Sequence, residues 1–180
     1  MVMTYKQCLE KHGSVYQIQQ EVAAWRLFKL EKCIYSDKKY ESVTASVSAK
    51  DPKAVFTMDS AFYFYGLTDT IPEKCHLTTA RNTKQIVDSR VVQRFENSDI
   101  LYLGAEKGEF DGANIVIYNR ERMLLELLRN KNSLPFDYYK EILGNYRKIL
   151  HELDSQLIQD YLPQFPKSNM INQTLQLEVF

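Results

Sequence analysis

The chain has 180 residues, 23 Lys and Arg balanced by 23 Asp and Glu, and a hydrophobic fraction of 44%. That length supports one good core, or a small module beside a core of about 130 residues. No apolar run approaches the roughly 18 residues a membrane span needs, and Met1-Val-Met-Thr-Tyr-Lys6 lacks the apolar stretch of a secretion signal. The three cysteines are an odd, scattered set, which together with the rest points to an ordered cytoplasmic protein.

A first helix is expected from Thr4 to His12, capped by Thr4 and ended by Gly13. Ser14 caps a second, in which Val15, Ile18 and Val22 form the buried stripe. Leu27 to Ser36 holds two short apolar runs about a Glu31-Lys32 turn, the pattern of a hairpin. Two short amphipathic helices followed by a two-stranded ribbon outline a winged helix-turn-helix over residues 1–44. Lys38 to Ala49, rich in Ser, Lys and Thr, then reads as a link. Residues 1–40 carry seven basic side chains against four acidic ones, a net +3, so residues 41–180 carry −3. A basic head on a slightly acidic body suits phosphate contact, although ordinary surface scatter would give the same number.

The body, residues 52–180, opens with Ala54-Val55-Phe56. Thr57 or Asp59 caps a short aromatic helix, Ser60 to Tyr65, that stops at Gly66. Strands are expected at Lys74–Thr79, Arg90–Phe95, Ile100–Gly104 and Ala113–Tyr118, with a hairpin turn at Glu109-Phe-Asp-Gly112. Beyond Asn119 the pattern is helical. One helix is lined by Leu124, Leu127 and Leu128, and the next by Tyr139, Ile142, Leu143, Tyr146, Ile149 and Leu150. A third carries Leu157, Ile158, Tyr161 and Leu162 and is closed by Pro163. Strands first and helices after predict an α+β fold: the winged helix, then a mixed domain of a small sheet and C-terminal helices.

For DNA, the side chains of the second helix best placed to read are Tyr16, Gln17 and Gln20. Glutamine makes bidentate contact with an adenine edge, and tyrosine reaches a phosphate. Arg26, Lys29 and Lys32 would clamp the flanking backbone or probe the minor groove from the wing. Taken one at a time, each reads more readily as a solvated surface residue; the group carries the reading. A metal site from Cys8 with His12 and Cys75 with His76 is disfavoured: no CxxC is present, and Cys8 fits a helix core. No GxSxG, P-loop or HExxH motif points to an enzyme, and no cofactor is expected. Glu106, Glu109 and Asp111 could imitate a nuclease metal site, but Asp111-Gly112 has a turn explanation. Arg120, Glu121, Arg122 and Arg129 read as a structural ion-pair set. Phe62 to Tyr65, a stacking platform on paper, more plausibly buries two rings.

Read end to end, the chain resembles the AbiEi-type antitoxins of type IV abortive-infection toxin–antitoxin systems. The marks are Tyr35-Ser36, Ala54-Val-Phe-Thr57, Gly66-Leu-Thr-Asp69 with Ile71-Pro72, Asp111-Gly112, Ile117-Tyr118 with Glu121-Arg122, Arg129-Asn-Lys131, and Leu134-Pro-Phe-Asp137 leading to Tyr146-Arg147. The resemblance implies a transcriptional repressor that binds inverted repeats in its own double-stranded promoter DNA, with a homodimer on the DNA as one arrangement. It implies a nucleotidyltransferase-like toxin as functional partner, opposed without a required stable complex, and no membrane. The alternatives are a metal-dependent nuclease-like enzyme and an interaction module whose winged helix no longer binds DNA. Two positions depart from the family pattern, which has glycine where Trp25 and Cys33 stand. Glycine takes positive φ freely, so a distorted turn and hairpin tip are expected here.

Overall fold

A computed structural model describes residues 1–180. The chain forms two compact units, Met1–Lys53 with Gly108–Ile115, and Ala54–Lys107 with Val116–Phe180. The fold is α+β: an N-terminal helix–strand region with a small antiparallel sheet, a mixed five-stranded sheet, and C-terminal helices.

In the first unit the order is β1 (Val2–Thr4), α1 (Tyr5–His12), α2 (Val15–Ala23), β2 (Phe28–Glu31), β3 (Ile34–Ser36) and α3 (Val43–Lys50). Thr4 and Gln7 form a reciprocal capping box that starts α1, and the Gln17 N–H donates to Ser14 Oγ to start α2. Strand β3 lies between β1 and β2, antiparallel to both. Met3, Cys8, Ile18, Leu27 and Tyr35 make one core, with Tyr5, Leu9 and Val22 packed at its margin.

Several expectations need correction here. Val15 is exposed, because as the first residue of α2 it stands at the end of the stripe, and Ile18 carries the burial. The hairpin turns at Lys32-Cys33, one residue later than Glu31-Lys32, because the register shifts between Lys29 and Glu31. The expected link contains α3. Ser42 caps it by accepting from the Ala45 N–H, and Thr44 to Val47 are buried where the helix packs on β1 and β3. Small side chains gave this helix a linker's composition, yet they are what lets it approach a sheet closely.

The second unit is built on β4 (Val55–Phe56), α4 (Met58–Phe64), β5 (Cys75–Ala80), β6 (Val91–Glu96), β7 (Ala105–Phe110), β8 (Ala113–Tyr118), α5 (Arg120–Arg129), α6 (Phe136–Lys148), α7 (Ser155–Tyr161) and α8 (Ser168–Glu178). The tip of the β7–β8 hairpin belongs to the first unit. Sheet order is β6-β5-β4-β8-β7; β4 runs antiparallel to β5 and parallel to β8, and β5 runs parallel to β6. The hairpin turns on Asp111 and Gly112, both at positive φ, the geometry two-residue hairpins favour. Helix α5 is buried from Glu121 to Leu128 and packs on α4, α6, α7 and α8.

Ile100 to Gly104, expected as a strand, is a series of turns. Ile100 and Leu101 are buried as anchors, and their carbonyls accept from Arg122 Nη1 (3.3 Å) and the Tyr118 hydroxyl (2.7 Å). The strand there is β7, an edge whose charged sequence AEKGEF conceals it from hydrophobic patterning. Helix α8, with Ile171 and Leu175 buried, adds to the three C-terminal helices expected. Of the aromatic run Phe62 to Tyr65, only Phe62 is fully buried.

Candidate nucleic-acid interface

Tyr16, Gln17, Gln20, Arg26, Lys29 and Lys32 are all exposed and all lie in the first unit. With Ile18 turned into the core, α2 presents Tyr16, Gln17, Gln19, Gln20 and Ala23 to solvent. Gln17 is partly engaged, its Oε1 accepting from Ser14 Oγ at 3.3 Å. Tyr16 and Gln20 make no such local bond. Lys29 projects from β2 at the register position of Tyr35, and Lys32 stands in the turn of the ribbon.

Arg26 is held differently. Its Nε and Nη2 each donate to the Glu21 carboxylate at 2.8 Å, a bidentate pair. That guanidinium holds the Glu21 carboxyl below the ordinary carboxylate range. Glu10 and Glu31 are paired with Lys6 and Lys50, and Asp37 with the Met1 amino group. Lys11, Lys29, Lys32, Lys38 and Lys39 carry no acidic partner. The acidic side chains of the first 40 residues are thus locally neutralised, and the free lysines set the sign of the surface.

The α2–β2 corner takes a backbone that a glycine would suit. Trp25 N–H donates to the Val22 carbonyl and Arg26 N–H to that of Glu21, a Schellman closure with Trp25 in the left-handed position at φ +57°. Cys33 likewise takes φ +63° in the ribbon turn. Neither turn is distorted to suit its side chain. Both keep the glycine-like backbone and carry the strain instead, on the order of 1–2 kcal/mol per residue. Sequence reasoning about DNA contacts passed over Trp25, which is 74% exposed and tilted against Phe28 with centroids 6.2 Å apart. Its one available signal was a bulky aromatic at a helix C′ position.

In the second unit the charged cluster is internal. Arg122, fully buried, donates to Glu126 at 2.8 Å and lies 3.5 Å from Glu96, while Arg129 pairs with both carboxylates. The Arg122 guanidinium carbon lies 4.1 Å from the Phe165 ring centroid and 4.8 Å from that of Tyr118. Burial pushes the Glu96 carboxyl up, but Arg129, the Asn97 N–H and Arg122 outweigh it and hold it below the usual range. His76 Nε2 lies 3.4 Å from Asp59; burial holds the imidazole below its ordinary pKa, Arg94 adds to that, and Asp59 opposes it. Glu106 accepts from the Tyr65 hydroxyl, and Asp111 serves the turn. No group of three or more His, Cys, Asp and Glu side chains is arranged to hold a metal ion, and no helix is long and apolar enough to cross a membrane. In comparisons with known proteins, no family model and no curated protein matches this sequence.

Proposed function

We propose that this chain is a DNA-binding transcriptional repressor and antitoxin of a type IV abortive-infection operon, acting in the cytoplasm. The N-terminal unit is a winged helix-turn-helix, with α2 as the reading helix and the β2–β3 ribbon as the wing. The observation that carries the reading is topological. The sequence β1-α1-α2-β2-β3, with β3 between β1 and β2, leaves the polar face of α2 free while Ile18 anchors its other side. Tyr16, Gln17 and Gln20 read or position, and Lys29 and Lys32 meet phosphates without an acidic competitor. The operon's toxin, of the nucleotidyltransferase-like class, is opposed without a stable complex.

A test is duplex binding by the intact protein to the promoter of its own operon across a salt series. Gln20→Ala should cost about 1–3 kcal/mol on the operator and little on unrelated duplex. Lys29→Ala and Lys32→Ala should weaken binding to every sequence alike, each flattening the salt slope by about one. No operator preference in the unaltered protein would reject the reading. The interaction-module alternative draws on one observation, that Arg26 is occupied by Glu21; binding to no duplex at any salt concentration would favour it.

A further inference from the structure

Beside the C-terminal end of α2 lies a groove of about 510 Å³, within the first unit, lined among others by Val22, Trp25, Phe28, Leu30, Lys29 and Lys39. Its lining is mostly apolar, includes the exposed Trp25, and holds no acidic side chain. Lys29 and Lys39 are both exposed and without acidic partners. Tyr40, 79% exposed, follows Lys39, whose ammonium lies 5.4 Å from the tyrosine ring centroid. None of Tyr16, Gln17 or Gln20 belongs to the groove.

Trp25 is strained and yet contributes little to the core. A non-glycine residue at φ +57° is costly, and an indole that is 74% exposed recovers little of that through burial. The indole instead stands exposed in a groove that Lys29 and Lys39 also line. Planar bases alternating with phosphates are the ligand chemistry that matches a π surface and cations together. Paired bases inside a duplex cannot offer their faces; unpaired ones can.

We propose that this groove binds single-stranded nucleic acid, stacking an unpaired base on Trp25 and placing the adjoining phosphates on Lys29 and Lys39. It shares Lys29 with the proposed duplex contacts but none of the α2 reading residues, and it does not require duplex reading. DNA and RNA share the chemistry, and the groove engages both base and phosphate on either backbone.

Trp25 is the only tryptophan of the chain, so its fluorescence reports directly on the groove. The intact protein is titrated with oligothymidylate, oligouridylate, an abasic oligomer of equal length, a duplex, and an acidic peptide. Quenching by thymidylate or uridylate at concentrations where the abasic oligomer and the peptide leave the signal unchanged is the expected result; which of the two acts sooner distinguishes DNA from RNA. With labelled oligonucleotide, Trp25→Gly, which suits the backbone, should lower affinity by about tenfold or more. Lys39→Ala should weaken binding and reduce the salt slope by about 0.7. Equal binding of the abasic oligomer, tighter binding of the acidic peptide, or unchanged affinity in Trp25→Gly would each overturn the proposal. Promoter-duplex binding, measured on the same samples, keeps the two readings apart: its loss in the unaltered protein bears on the winged-helix reading, and its persistence without oligonucleotide binding condemns only the groove.

Discussion

Trp25 occupies after α2 the same left-handed position that Gly66 occupies after α4. In each case the left-handed residue's N–H bonds back to the C2 carbonyl and the next residue's N–H to the C3 carbonyl: Trp25 to Val22 and Arg26 to Glu21, Gly66 to Tyr63 and Leu67 to Phe62. The φ values, +57° and +65°, differ little. Where the α4 closure sets buried Leu67 after buried Phe62, the α2 closure substitutes the Arg26–Glu21 ion pair.

The two positions should therefore respond oppositely to exchange. Trp25→Gly relieves left-handed strain of about 1–2 kcal/mol against a backbone-entropy loss of about 0.5–1 kcal/mol. Its net effect should be a stabilisation of about 0.5–1 kcal/mol in urea unfolding. Gly66→Ala should cost about 1 kcal/mol, all of it strain, since nothing lies within 4 Å of the added Cβ. A clear destabilisation by Trp25→Gly would show that the indole holds the corner together.

Releasing Arg26 should strengthen duplex binding. Glu21→Gln removes a negative charge on the reading helix itself and frees a guanidinium now held at two 2.8 Å contacts. The salt slope of promoter binding should steepen by about one. Arg26→Ala, in contrast, should weaken binding less than Lys29→Ala, because its cation is already compensated. A larger loss in Arg26→Ala would mean that the ion pair opens on DNA.

Acid should loosen the second unit through Glu96. Its carboxyl has a folded-state pKa below the ordinary value, chiefly because of Arg129 acting against burial. The folded state therefore binds fewer protons than the unfolded chain near that pH. The associated stability is fully present above the unfolded carboxylate pKa of about 4.3 and is lost as pH falls through the lower folded value. The denaturation midpoint followed from pH 6 downward should fall through this window. Glu96→Gln should flatten that dependence and cost about 3–5 kcal/mol at neutral pH, since two arginines would share Glu126 alone.

Gly104→Ala tests the closest approach in the second unit. The added Cβ would lie 2.8 Å from Arg122 Cβ and from Asn119 Oδ1, at φ +69°. Strain and overpacking together should cost about 2–5 kcal/mol, read as a lower unfolding midpoint. A near-neutral result would mean that the start of α5 can shift away.

Much of the candidate interface was legible from local chemistry. Thr4 and Ser14 cap the helices they were expected to cap, and in the second unit β8 runs over the expected range, Ala113 to Tyr118. Helix α3 was hidden by its Ser and Thr content, and β7 by edge-strand charges, because their composition answers to packing partners far along the chain. The pairing of Arg26 with Glu21 was equally invisible, since it depends on the corner that Trp25 closes.

The amino-acid sequence by itself determined what acts over a few residues: the caps, the Asp111-Gly112 turn and the helical stripes. Steric and hydrogen-bonding rules at that range do not depend on the rest of the chain. Tertiary structure alone decided that β3 would lie between β1 and β2, that Arg122 would be buried among carboxylates and aromatic rings, and that Trp25 would face a basic groove. Those outcomes rest on long-range pairing and desolvation, which depend on residues brought together only when the chain folds.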